Sequence, residues 1–220
     1  MKIKFPNIAE PLVLSDEYIT TLVIENQNLL YKYVTELEAQ SNRQDGDIVL
    51  SENDVPLDIS KNIELITQYV PFECYKKSLL TKLQTKIKDS ASECFYYETQ
   101  EILATIQQYL YRLTETVNIN TELDEIELGS LVKAVNIRFS SDYNALSEAI
   151  CEYCLNVISL EGRKLFVFLN LNCLITPDDY RLFAQTLIGH KVHALFLENV
   201  DREKIECETK TIIDNDLCVI

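Results

Sequence analysis

The chain has 220 residues with 47% hydrophobic side chains, enough for one medium domain or for a domain carrying a sizeable insertion. A net charge of −15 argues against a uniformly basic nucleic-acid coat, and no apolar run approaches the roughly 20 residues that span a bilayer. Seven cysteines without framework spacing, and an N-terminal MKIKFPNIAEP lacking an apolar stretch, point to reduced thiols in a cytoplasmic protein with no membrane association.

In chain order, Met1–Phe5 and Pro11–Leu14, separated by Asn7–Glu10, predict a short strand pair. Ser15-Asp16-Glu17 predicts a helix start, with Tyr18, Leu22, Leu29, Tyr33 and Leu37 along one broad face, ended by the polar Gln40–Asp47. Ile48–Leu50 and Leu57–Ile59 flank Ser51–Pro56 as a hairpin. From Cys74 to Asn118 the sequence has neither Gly nor Pro and reads as two helices. The first carries Tyr75, Leu79, Leu80, Leu83 and Ile87; the second carries Phe95, Ile102, Ile106, Leu110, Leu113 and Val117. Asp89–Ser92 is the expected break, with Ser90 or Ser92 as cap. The pair suits a helical layer on a sheet as well as a projecting arm. Gly129–Val135 predicts a short helix, Ile137–Phe139 a strand and Tyr143–Leu160 a helix ended by Glu161-Gly162-Arg163.

Lys164 to Asn199 is the most complete unit. Lys164–Leu171 is a near-continuous apolar run, as in a strand buried on both faces. Thr176-Pro177-Asp178-Asp179 supplies an N-cap, a proline for the first turn and two carboxylates beside unpaired N–H groups. Gly189 is expected to end the helix, and Val192–Leu197 returns as a second buried strand. Two apolar strands joined by a helix imply a parallel sheet, hence an α/β fold. The last twenty residues are expected to add an edge strand.

Little in this pattern supports catalysis. The four glycines, at 46, 129, 162 and 189, are too far apart for a phosphate-binding loop, and the strand from Leu165 ends at Asn170, where a magnesium-binding carboxylate would be expected. Cys151 and Cys154 sit within a helical pattern without further zinc ligands, so they read as core thiols. His190 and His193 flank a turn and read as surface histidines rather than a metal pair. Glu122, Asp124, Glu125 and Glu127 form the densest carboxylate group, fitting a hard cation or a solvated helix start. The charge is also uneven: residues 61–90 carry six basic and three acidic side chains, an island of +3. Lys76, Lys77, Lys82, Lys86 and Lys88 flank the first long helix's apolar stripe, either snorkelling or offering a backbone-directed surface to duplex DNA.

Two stretches carry a specific resemblance. One is DIVLSENDVPLDISKNIELI, Asp47 to Ile66; the other is LVKAVNI, Leu131 to Ile137, with KLFVFLNLNCLITPDDYRLFAQTLIGHKVHALFLEN. They resemble the small accessory adaptation proteins of type II-A CRISPR systems, which act in spacer acquisition, and length and element order match across the chain. The resemblance implies an α/β head with a mostly parallel sheet, similar to a degenerate P-loop NTPase, from residues 1–70 and 130–220. It implies an inserted helical leg at 71–129. It further implies a non-enzymatic, calcium-stabilised homotetrameric ring that binds linear double-stranded DNA by its ends. Other CRISPR adaptation proteins and the effector nuclease are the expected partners. By position, calcium ligands carry over to Glu122, Asp124, Glu125 and Glu127, and DNA contacts to Lys76, Lys77, Lys82, Lys86 and Lys133. The residues alone leave two other readings open: a metal-dependent phosphohydrolase or nuclease using the acidic cluster, and a protein adaptor without DNA contact.

Overall fold

The protein is described by a computed structural model covering residues 1–73, 76–117, 119–139 and 143–220. The chain begins with β1 (Lys2–Lys4) and β2 (Leu12–Val13), which pair antiparallel with Ile3 opposite Leu12. It then enters β3 (Ile19–Ile24), whose six residues are all buried. Sequence spacing predicts a helix from Ser15 through this segment. The segment is a strand because ITTLVI is mostly β-branched and receives hydrogen-bonding neighbours on both edges from the far end of the chain. The helix proper, α1 (Gln27–Ser41), starts later, where the Asn26 side chain accepts from Leu29 N.

β4 (Val49–Glu52) and β5 (Val55–Leu57) form the expected hairpin. Its tip is Asn53-Asp54, both at positive φ, the twist-compatible turn that these residue types tolerate. The short α2 (Ile59–Asn62) leads into β6 (Ile63–Ile66), a strand that the sequence reading did not separate from the hairpin. After the helical segment described below come α6 (Leu146–Glu161), β7 (Leu165–Leu169), a 3-10 turn at Leu171–Cys173, α7 (Pro177–Gly189), β8 (His193–Glu198) and β9 (Glu208–Ile213). Thr176 caps α7 as its sequence implies, accepting from Asp179 N at 3.2 Å. Gly189 is the last helical residue rather than the left-handed one; Lys191 takes that conformation, and only after α6 does a glycine, Gly162 at φ 68°, do so.

Two sheets result. The smaller, in order β2-β1-β4-β5, is antiparallel; the larger, β6-β7-β8-β3-β9, is parallel throughout. The α/β class with a parallel sheet is thus established, with β9 as one of its two edge strands. Register places Val167 opposite Leu195 and Leu22 opposite Leu197 on one face. That face joins Leu29, Leu30, Tyr33 and Leu37 of α1, Ile3 and Leu50 of the small sheet, and Phe5 just after β1 in one core. The opposite face presents Phe168 and Phe196, 5.0 Å apart between ring centroids; Phe168 meets Phe183 of α7 at 5.6 Å and Phe196 meets Tyr180 of α7 at 5.2 Å. On β6 the buried Glu64 accepts from Tyr153 Oη at 2.5 Å and faces Arg163 Nε at 3.6 Å, an arrangement that keeps an edge-strand carboxylate paired.

By compactness the chain divides into two units, Met1–Cys74 with Asp142–Ile220, and Tyr75–Ser141. The second contains α3 (Lys77–Glu93), α4 (Tyr96–Glu115) and α5 (Leu128–Ala134). Residues 130–141, placed with the α/β head by sequence, group here because α5 packs on α3. The break between α3 and α4 falls at Cys94-Phe95, not at Asp89–Ser92. Ser92 Oγ donates back to Lys88 O at 3.0 Å, so the serines extend the first helix instead of capping the second. Ile137–Phe139 forms no strand. Tyr75 and Asn118, at the edges of the predicted helices, lie outside the described residues.

Candidate functional site

The predicted nucleic-acid residues lie in the helical unit. Lys76 occupies the N-cap position of α3 and Lys77 its first turn; both are exposed, as are Lys82 and Lys86, which are one turn apart. Lys88 behaves differently. It is half-buried, and a Cβ at Gly129 would meet its Nζ at 2.7 Å, so Gly129 leaves the space that this side chain fills. Lys133 is exposed in the last turn of α5, on a separate element from the other four.

The predicted metal residues lie on the extended segment before α5. The Gln107 amide of α4 clamps this segment, donating to Asp124 O at 3.1 Å and accepting from Ile126 N at 3.2 Å. Glu122, Asp124, Glu125 and Glu127 are all exposed, and Glu127 occupies the N-cap position of α5. Among the described residues no group of three or more His, Cys, Asp or Glu is placed to hold a metal ion. A calcium ion takes six to eight oxygens around one point.

The strand ends of the α/β unit account for the remaining sequence candidates. Only Glu25 and Asn26 connect β3 to α1, and Asn26 is already the helix cap, so no length remains to wrap a phosphate. Asn170, after β7, adopts φ 50°; its N–H donates to Leu197 O at 2.8 Å and its Oδ1 accepts from Asn199 N at 2.9 Å. It staples the ends of β7 and β8. Cys151 and Cys154 are buried free thiols of α6, and burial pushes both thiol pKa values up, which suits core packing. His190 is the α7 C-cap residue and His193 opens β8.

Sequence reasoning missed one polar feature. A cavity of about 540 Å³ lies between α7, the residues following β8 and the sheet face carrying Thr21 and Val23. Its wall includes Asn172, Tyr180, Glu198 and Glu208, all at most 6% exposed. Glu198 Oε1 accepts from Asn172 N at 3.2 Å; Glu208 Oε2 accepts from Ile205 N at 3.0 Å, and its Oε1 lies 3.5 Å from Tyr180 Oη. Burial pushes the Glu198 pKa up to about 7, against the opposing pull of the Asn172 N–H and Arg202. The sequence signal was a glutamate at the end of the apolar run HALFLE and another opening ETKTII, in a chain whose other strands place carboxylates sparingly.

Comparison with known proteins bears on the whole chain. A family model described as CRISPR-associated protein (Cas_Csn2) matches residues 40–217. A CRISPR-associated protein Csn2 of Streptococcus agalactiae is 21% identical over 210 residues, spanning 90% of this chain and 89% of its own length. Among solved structures, "Putative ABC transporter (ATP-binding protein)" from Pyrococcus furiosus aligns over 95% of this chain and 93% of its own at 14% identity, with a TM-score of 0.38. That last likeness is too slight to bear on function.

Proposed function

This chain belongs to the CRISPR-associated Csn2 family, and we propose that it serves CRISPR adaptation as a non-enzymatic protein that binds linear double-stranded DNA by its ends. In this reading it works as a homotetrameric ring, together with other adaptation proteins and the effector nuclease. The observation that carries the assembly is α4. This 20-residue helix buries none of its residues, yet from Phe95 to Val117 it carries Ile102, Ile106, Tyr109 and Leu113 at the spacing of a helix-packing seam. An apolar stripe of that kind suits another helix better than water.

DNA binding is supported by the exposed Lys76, Lys77, Lys82 and Lys86 on α3, with Lys133 on α5 as the fifth contact. These side chains suit phosphates rather than base edges, so the binding is insensitive to sequence and weakened by salt. With −15 per chain, the acidic side chains must face away from the duplex. In this reading calcium stabilises the ring, held by the exposed Glu122, Asp124, Glu125 and Glu127 as an ion shared between copies.

A mobility-shift series separates this reading from its rivals. Linear duplex is expected to shift and covalently closed circles of the same sequence are not, with affinity falling steeply as salt rises. Equal binding to closed circles would remove the end-threading element. Metal-dependent cleavage products would favour a nuclease, and no shift at all a protein adaptor.

A further inference from the structure

The cavity beside α7 has walls that ask for a positive charge. Glu198 and Glu208 are 3% and 5% exposed, and among the described residues neither has a Lys, Arg or His within ion-pair distance. Arg181 and Lys210, the cations on the flanking helix and strand, are engaged by Asp178 and Asp201 at 2.9 Å each. Asn172 is 6% exposed, and its Oδ1 has no hydrogen-bond donor. The hydroxyls of Thr21 and Tyr180 are 3.3 Å apart, and Tyr180 Oη also reaches Glu208 and the Asn172 side-chain amide. What this wall leaves uncompensated is thus one amide oxygen without a donor and two buried carboxylates that accept hydrogen bonds but have no cation beside them. Buried acceptors without donors cost free energy, and buried carboxylates are normally paired or bound to a cation.

Size decides which cation. About 540 Å³ lies within the range of pockets that hold small organic molecules and far exceeds one dehydrated metal ion. The exposed Arg202, Glu203, Lys204 and Glu206 at the mouth alternate in sign, so they neither attract nor exclude one charge strongly. We infer that this cavity binds a small organic cation, its ammonium or guanidinium headgroup donating to Glu198, Glu208 and Asn172 Oδ1. The site belongs to the α/β unit alone and is independent of the DNA-binding reading.

Titration calorimetry of the full chain with agmatine and with putrescine, against magnesium and calcium chloride at matched ionic strength, tests it. One organic cation is expected to bind saturably, with Glu198→Gln and Glu208→Gln each weakening it by about tenfold. Glutamine keeps an acceptor for the Asn172 N–H, so the first variant is expected to unfold no earlier than the parent; if it does unfold early, Glu208→Gln gives the same reading. Glu208, Tyr180, Tyr69 and Arg202 are the ionisable groups acting on or facing Glu198, whose own pKa burial holds up to about 7, so its negative charge is lost between about pH 8 and about pH 6. Binding is therefore expected to be weaker at the lower of those values. The inference is overturned if neither amine binds, if binding survives both glutamine variants undiminished, or if only the divalent metals bind in a Glu198-dependent way.

Discussion

The α/β unit and the helical unit use helices of the same general kind and finish them differently. In the first, α6 buries Ile150, Tyr153, Cys154 and Val157 among others, and α7 buries Tyr180, Phe183, Ala184 and Leu187. In the second, α3 buries only Leu79, α5 only Val132 and α4 nothing. The contrast is not one of composition, since α4 carries aromatic and aliphatic side chains along much of its length. One unit closes its apolar surface with its own sheet; the other leaves it open. Stability therefore belongs mainly to the α/β unit, and the helical unit's apolar surface is available for assembly.

The sharpest way to expose that contrast is a large deletion in the core of the first unit. Phe196 is fully buried and in ring contact with Phe168, Tyr180 and Phe183. Phe196→Ala is expected to cost about 4 kcal/mol in urea unfolding, from lost transfer free energy and a cavity that the sheet cannot collapse into. Tyr97→Ala, at a residue 87% exposed on α4, is expected to change it by less than about 0.5 kcal/mol. Equal losses would mean that the two units share a single core.

A smaller effect separates the units by pH. The Glu198 pKa is raised by burial to about 7 in the folded chain, whereas an unfolded glutamate titrates near about 4.3. The folded state therefore holds its proton to higher pH. This contribution to stability is fully present below about pH 4 and is lost as pH rises through about 7. Glu198→Gln is expected to stabilise the chain by on the order of 2 kcal/mol at about pH 8 and by little at about pH 5, read from unfolding midpoints. A pH-independent difference would show that Glu198 is not the buried acid responsible.

What the sequence made legible follows from the range of the interactions involved. The unit from Lys164 to Asn199 was readable because its cap at Thr176, the proline at 177 and the two apolar runs are local signals. β3 was not. Tyr18, just before it, and Leu22 within it keep helical spacing with Leu29, and the β8 and β9 partners that make Ile19–Ile24 a strand lie far along the chain. The same limit hid the cavity, whose buried acids close β8 and open β9 while Asn172 lies in the turn after β7. Lys77, Lys82 and Lys86 of α3 could be placed from periodicity and are exposed, whereas Lys88 is half-buried against Gly129 of α5, a contact periodicity does not show. The carboxylates from 122 to 127 are adjacent in sequence, and the Gln107 clamp that orders their segment comes from α4, a contact that local spacing does not show.

The smallest change in stability comes with the largest expected change in mass. Ile102 and Leu113 lie on the uncovered seam of α4, 49% and 42% exposed. Serine at both positions removes apolar surface already in water, so unfolding measured under dilute conditions is expected to shift by less than about 0.5 kcal/mol. Light scattering at higher concentration is expected to show the parent chain at a multiple of 25.4 kDa and the double variant nearer the single-chain mass. The reasoning is that an exposed seam contributes to free energy only when a second helix covers it, whereas Phe196 is already covered within the chain. If the double variant unfolds several kcal/mol earlier at unchanged mass, the seam is packed inside each chain, and the proposed division between a self-sufficient unit and an assembling one fails.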